Sequence, residues 1–228
     1  MLPSLPLLRL LQLTSPALPV GAYSYSEGLE WLVESAIVTN AATLDHWLRQ
    51  ELQYGSIRLE GAVVWRCLDA LATGDGAAVA GWNRWLSAVR ETEELRLQSW
   101  QMGRSLLKLL RDLHPDWAPD PMLQLGQREE CNFAVAFAIA AHYWQLDAST
   151  ALLGYLYSWA ANLVNAGIRL IPLGQTVGQR LLSSLHPELL VAVDAIAACP
   201  DAEMGSCGWG LAIASMNHEV QYSRLFRS

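Results

Sequence analysis

ALLGYLYSWAANLVNAGIRLIPLGQTVGQR, residues 151–180, decides the fold. From Ala151 to Ile171 it is apolar on nearly every face, a pattern that suits a helix surrounded by other helices. Asp147 or Ser149 can cap its start, and Pro172 and Gly174 break it near its end. Beyond the break, Gly174–His186 predicts a second, shorter helix. About 20 apolar residues are enough to cross a bilayer. Asn162, Asn165 and Arg169 would each need a partner inside hydrocarbon, however, and no basic cluster flanks either end, so a core helix is expected instead. Two readings stay open for Arg169: a guanidinium that snorkels or neutralises the helix C-terminus, or one paired with a carboxylate at a working surface.

Working outward, helical spacing of apolar residues predicts helices over Leu7–Leu13, Ala41–Tyr54, Ser56–Ala72, Ala77–Val89, Glu91–Leu113, Cys131–Leu146 and Glu188–Cys199, with a short one ending near Ser35. His114–Gly126, with Pro115, Pro119 and Pro121, is expected to be a loop. Residues 200–210 are glycine-rich and expected to be mobile. No stretch sustains strand alternation and no repeat recurs at a fixed period. The expectation is an all-α fold: one domain over residues 1–228, a bundle of about eight to ten helices around the buried apolar helix at 150–171.

Composition narrows the function. The 228 residues are 52% hydrophobic and 16% charged, which is rich in apolar surface and suggests contact with other proteins. A net charge of −7 argues against nucleic acid as a partner. The cations are 14 arginines and Lys108, a bias that suits bidentate interface contacts. Cys67, Cys131, Cys199 and Cys207 contain no C-x-x-C pair, so neither a zinc site nor a disulfide framework is indicated. Arg9 interrupts the apolar N-terminal run and no basic region precedes it, so a cytoplasmic protein is expected.

Catalytic patterns are missing. There is no phosphate loop of the G-x-x-x-x-G-K-[ST] type, and His218-Glu219 lacks the second histidine of H-E-x-x-H. Gly174 and Gly178 read as a close-packing device. Glu91, Glu93 and Glu94 beside Arg90 and Arg96 read as a solvated helix face. The tail, IASMNHEVQYSRLFRS at 213–228, combines Tyr222, Leu225 and Phe226 with Arg224 and Arg227, a composition of interface anchors expected to order on a partner. A binding protein without catalytic activity or cofactor is the main expectation. The alternative is a helical metal-dependent enzyme using His142, His218 and carboxylates.

Three stretches resemble the urease accessory protein UreF family: SPALPVGAYSYSEGLE at 15–30, GIRLIPLGQTVGQ at 167–179 and the tail at 213–228. RETEELRLQSWQMGR at 90–104 also fits, and the matches run in the same order along almost the whole chain. The resemblance implies an all-helical, dimerising, non-catalytic protein of the cytoplasm. It implies a complex with the accessory protein UreD (also called UreH) and the GTPase UreG, which docks on apo-urease and inserts nickel. It further implies that this component couples the GTPase to metal transfer, with an internal passage for the ion. By position in the motifs, Gly21, Tyr23, Glu30 and Arg169 are expected on the GTPase-facing surface. Tyr222, Arg224, Leu225 and Phe226, in the tail at 211–228, are expected against UreD. Arg169 stands where many relatives carry lysine, and Cys207 is read as a small apolar residue.

Overall fold

The computed structural model describes residues 4–117, 120–125 and 129–228. The helices are α1 (Ser4–Leu13), α2 (Leu29–Glu34), α3 (Ala41–Tyr54), α4 (Ser56–Ala72), α5 (Gly76–Val89), α6 (Glu93–Leu113), α7 (Phe133–Tyr143), α8 (Ala148–Leu170), α9 (Gln175–Ser184), α10 (His186–Ala198) and α11 (Trp209–Glu219). No strand occurs among the described residues, so the fold is all-α. Pro3, Ala118, Pro119 and Gly126, which bear on the N-terminal and loop expectations, lie outside the described residues; Pro115–Trp117 forms a 3-10 turn.

Local chemistry sets the helix ends. Asn40 accepts from the Ala42 and Thr43 amides while the Thr43 hydroxyl accepts from the Asn40 amide, a reciprocal cap that starts α3. Asp75, Thr92 and Asp147 cap α5, α6 and α8 through their side chains. Pro187 stands in the first turn of α10, where a missing N–H costs nothing. The run 175–198 is long and apolar enough in composition to cross a bilayer, but a turn at Leu185 divides it into α9 and α10, and both pack on α8.

The most enclosed helix is α7. Every side chain from Ala134 to Ala141 is fully buried, because alternating alanines let α4 and α6 close on it from two sides. A Cβ on Gly103 of α6 would overlap the Cys131 carbonyl and lie 2.9 Å from the Asn132 carbonyl carbon, so only glycine permits that approach. Buried Asn132 ties the start of α7 to α5: its amide donates to Asn83 Oδ1 at 2.9 Å and its side chain donates to the Asn83 carbonyl at 2.9 Å.

Helix α8 contributes Leu152, Leu156, Leu163 and Val164 to the same core and packs on α4, α9, α10 and α2. It is not apolar all round. Tyr157, Asn165 and Arg169 reach the surface, and Ser158, Asn162, Asn165 and Arg169 recur at helical spacing as one polar stripe.

Two further segments lie beyond α10. Residues 209–219 form a helix whose buried face carries Leu211, Ala214, Ser215 and His218, while Trp209, Ile213 and Met216 face outward. This inverted polarity hid the helix from a reading that looks for one apolar face. The loop after α10 is anchored at its start: Arg66 donates to the Cys199 carbonyl at 2.5 Å and to Asp201 at 2.6 Å.

Candidate functional site: a captured tail beside an acidic cavity

The motif at 21–30 builds the floor of the site. Gly21 adopts φ 83° and its carbonyl accepts from the Ser24 amide and hydroxyl, which folds Ala22–Ser24 into a 3-10 turn and leaves Tyr23 exposed. Gly28 adopts φ 74°, and a Cβ there would lie 2.9 Å from the Ala214 Cβ and 3.0 Å from the Ser215 amide nitrogen. That close approach seats α11 on α2 and brings His218 over Glu30.

Glu30 is 8% exposed, and its carboxylate accepts from the backbone amides of Leu225 at 2.6 Å and Phe226 at 2.8 Å. His218, with no exposed surface, lies between two carboxylates: Nε2 is 3.4 Å from Glu30 and Nδ1 is 3.1 Å from Glu94. Arg224 donates to Glu94 at 3.4 Å, and Ser215 completes the ring of contacts to Glu94 at 3.5 Å. Burial pushes the His218 imidazolium down, but hydrogen bonds and charge from Glu94 and then Glu30 outweigh it and hold the group above the ordinary histidine value.

The last residues continue along the same floor. The Arg227 amide donates to the Ser24 carbonyl at 2.8 Å. The Ser228 carbonyl accepts from the Ser26 amide at 2.5 Å, the Ser26 hydroxyl at 2.8 Å and the Glu27 amide at 3.1 Å. Phe226 is buried beneath the Arg169 guanidinium, which stands 4.5 Å from the ring centroid and donates to the Tyr23 carbonyl at 3.1 Å. Sequence reasoning treated residues 21–30 with Arg169 and residues 222–226 as two surfaces. The structure makes one surface of them, with Glu30 beneath the tail rather than open to solvent, Tyr23 and Leu225 exposed beside it, and Tyr222 fully exposed at its edge.

Beneath Tyr23 and Arg169 lies a cavity of about 120 Å³, walled by the polar stripe of α8 and by Leu18, Val20 and Trp159. Its inner end is acidic. Glu27 accepts from the Trp159 indole at 2.9 Å and from Gln98 at 3.3 Å. Glu60 accepts from Arg90 at 2.6 Å and from the Tyr155 hydroxyl. Burial, and next the Glu60 charge, push the Glu27 carboxyl well above the usual carboxylate range, against the pull of Arg90, Trp159 and Gln98. Glu51, near Glu27, Glu91 and Glu60, is pushed up to about 8 by burial first and then by those neighbours. Several carboxyls thus share the field of one buried guanidinium, Arg90.

This corrects the reading of residues 90–96 as a solvated face. Glu93 is exposed as expected, but Arg90 is buried against Glu60 and Glu94 serves the His218 clamp, because α4 supplies the carboxylate beside Arg90 and α11 packs on α6. Glu27, Glu60, Tyr155 and His218 were not singled out as a constellation, since they come from four elements whose meeting no spacing announces. Among the described residues no group of three or more His, Cys, Asp or Glu side chains is arranged to hold a metal ion, and both nitrogens of His218 already face carboxylates. His142 lies apart from that clamp, in edge contact with Tyr143.

Fold and site define an all-α protein that folds its own C-terminal segment onto the 21–30 motif, beside a walled cavity whose inner end carries Glu27 and Glu60. Residues 38–186 match the UreF family profile. The chain is 58% identical over 222 residues to a protein of Microcystis aeruginosa named urease accessory protein UreF, covering 97% of both chains. Proteins of the same name from Trichormus variabilis and an Azoarcus species are 54% and 46% identical, with 97% and 98% of this chain and 95% and 96% of theirs covered. The chain belongs to the UreF family.

Proposed function

We propose that this chain is a non-catalytic urease maturation factor. It joins UreD (UreH) and the GTPase UreG into a cytoplasmic complex that docks on apo-urease, delivers nickel as cargo and couples the state of the GTPase to transfer. It works as a dimer, and neither nucleic acid nor a membrane is a partner.

The observation that carries this reading is the outer face of α11 and the tail. Trp209, Ile213, Met216, Val220, Tyr222 and Leu225 are each more than half exposed and form one apolar strip, while the inner face of the same segment is pinned by Glu30 and His218. A contiguous apolar strip held in fixed shape is what a protein partner buries. In this reading the strip meets UreD, and the neighbouring Tyr23 and Arg169 meet UreG. The acidic cavity below supports an internal passage for a divalent cation, since an entering cation can displace the proton that burial holds on Glu27 and take its carboxylate as a ligand in a walled space.

The test is size-exclusion chromatography with light scattering on the chain alone and mixed with UreD and UreG, using the full-length protein and a version ending at Ala212. The full-length chain enters the complex and the truncated one does not. If neither enters, the scaffold reading fails. Arg169→Ala should fold normally and weaken urease activation; intact activation removes Arg169 from the GTPase-facing surface.

A further inference from the structure

We propose that the C-terminal tail is held by a proton on His218, so that the clamp closes at neutral pH and opens as the solution becomes alkaline.

Donors and acceptors around the ring decide its charge. A neutral imidazole carries a single N–H, and an imidazolium carries two. His218 is fully buried, and each of its ring nitrogens lies within hydrogen-bond distance of a different carboxylate, Glu30 at Nε2 and Glu94 at Nδ1. Neutral, the ring could satisfy one carboxylate and would turn a lone pair toward the other. The proton cannot be stored on the carboxylates at little cost. Glu30 already accepts two backbone N–H donors, from Leu225 and Phe226, and Glu94 accepts from Arg224 and Ser215. Both are acceptors in this geometry, which leaves the ring as the proton's place.

The charged groups that face His218 are Glu30 from α2, Glu94 from α6 and, through Glu94, Arg224 of the tail. The set carries two negative and two positive charges when the ring is protonated. Loss of the proton leaves Glu30 as a buried carboxylate without a cation, directly under the amides of Leu225 and Phe226. The raised affinity of His218 for its proton is gained by closing the clamp, so closure is favoured below the ordinary histidine value near 6.5 and weakens as pH rises through the higher folded value. The device regulates the same surface described above. Its bearing on partner docking rests on that reading, whereas the clamp itself is tested in the isolated chain.

The experiment is nitrogen-15 histidine NMR together with hydrogen exchange of the Leu225 and Phe226 amides on the full chain, from about pH 6 to about pH 9.5, with intrinsic exchange rates divided out. In the wild type the His218 resonances report a doubly protonated ring at neutral pH, and protection of the two tail amides falls at least about tenfold as that ring titrates. Glu94→Gln keeps an acceptor for Nδ1 but removes one of the two negative charges beside the ring, and moves the midpoint to lower pH. His218→Gln, which offers one donor group at any pH, leaves the tail amides weakly protected and indifferent to pH while amides of α7 stay protected. If His218→Gln does not fold, the wild type and Glu94→Gln decide. Constant tail protection across the range, or a midpoint that Glu94→Gln does not move, overturns the proposal.

Discussion

Glu30 and Leu225, 195 positions apart, are joined by a 2.6 Å hydrogen bond from the Leu225 amide to the Glu30 carboxylate. The bond makes the tail part of the tertiary structure. It also means that a change at Glu30 acts through the tail, and that its effect on any partner is read through the tail's position.

Glu30→Gln should therefore loosen the tail without unfolding the core. The glutamine side chain offers one oxygen where the carboxylate offers two, so one of the Leu225 and Phe226 amides is left facing an N–H, at a cost of about 1–3 kcal/mol. Trypsin cuts after Arg224 and Arg227, both exposed, and cleavage there should speed up several-fold while the rest of the chain resists. An unchanged cutting rate would remove Glu30 from the role assigned to it.

Stability should fall as pH rises from about 4.5 to about 8, because of Glu51. Its folded carboxyl holds a proton up to about 8, whereas in the unfolded chain it releases one near 4.5. Within that window the folded state binds more protons than the unfolded state, so raising pH favours unfolding. Each pH unit inside it costs about 1.4 kcal/mol, a few kcal/mol in all. Glu51→Gln keeps the size and the acceptor for the Ser56 amide and removes the titration. Denaturant midpoints at pH 5 and pH 8 should differ less in this variant than in the wild type, and its stability at pH 8 should be higher. A variant that tracks the wild type at both values would contradict this.

Gly103→Ala tests the packing of α6 on α7. The added methyl meets backbone at Cys131 and Asn132, which cannot rotate away, so the helices must part. Overpacking of this kind costs about 1–3 kcal/mol, and the thermal midpoint should drop by several degrees. The same substitution at Gly81, where a Cβ would meet nothing within 4 Å, should be neutral or stabilising.

Much of this was legible along the chain. Asp147 was read as a cap and accepts from the Thr150 amide at 2.9 Å; Pro172 and Gly174 were read as a break, and α8 ends at Leu170 before α9 begins at Gln175. Of the two open readings for Arg169, the structure fits the first, an exposed cation in the last turn of α8, and adds a contact the sequence did not announce, the guanidinium over the Phe226 ring. The polar stripe Ser158, Asn162, Asn165 and Arg169 was present at helical spacing in a segment read as apolar on nearly every face, and it marks the cavity wall. That signal was available; it was outweighed by the apolar residues between.

What the order of residues determined by itself was the helices before α11, most of their ends and the family, because caps, proline breaks and apolar periodicity act over a few neighbouring positions. What the tertiary structure alone decided was the company kept by the charges. Glu30, Glu94 and His218 come from three helices, and Glu27, Glu60, Arg90 and Tyr155 from four further places in the chain. A carboxylate in sequence reads as solvated, since water is its default partner. Only burial removes the water, and only the packing of distant helices supplies the imidazole, guanidinium and backbone amides that replace it.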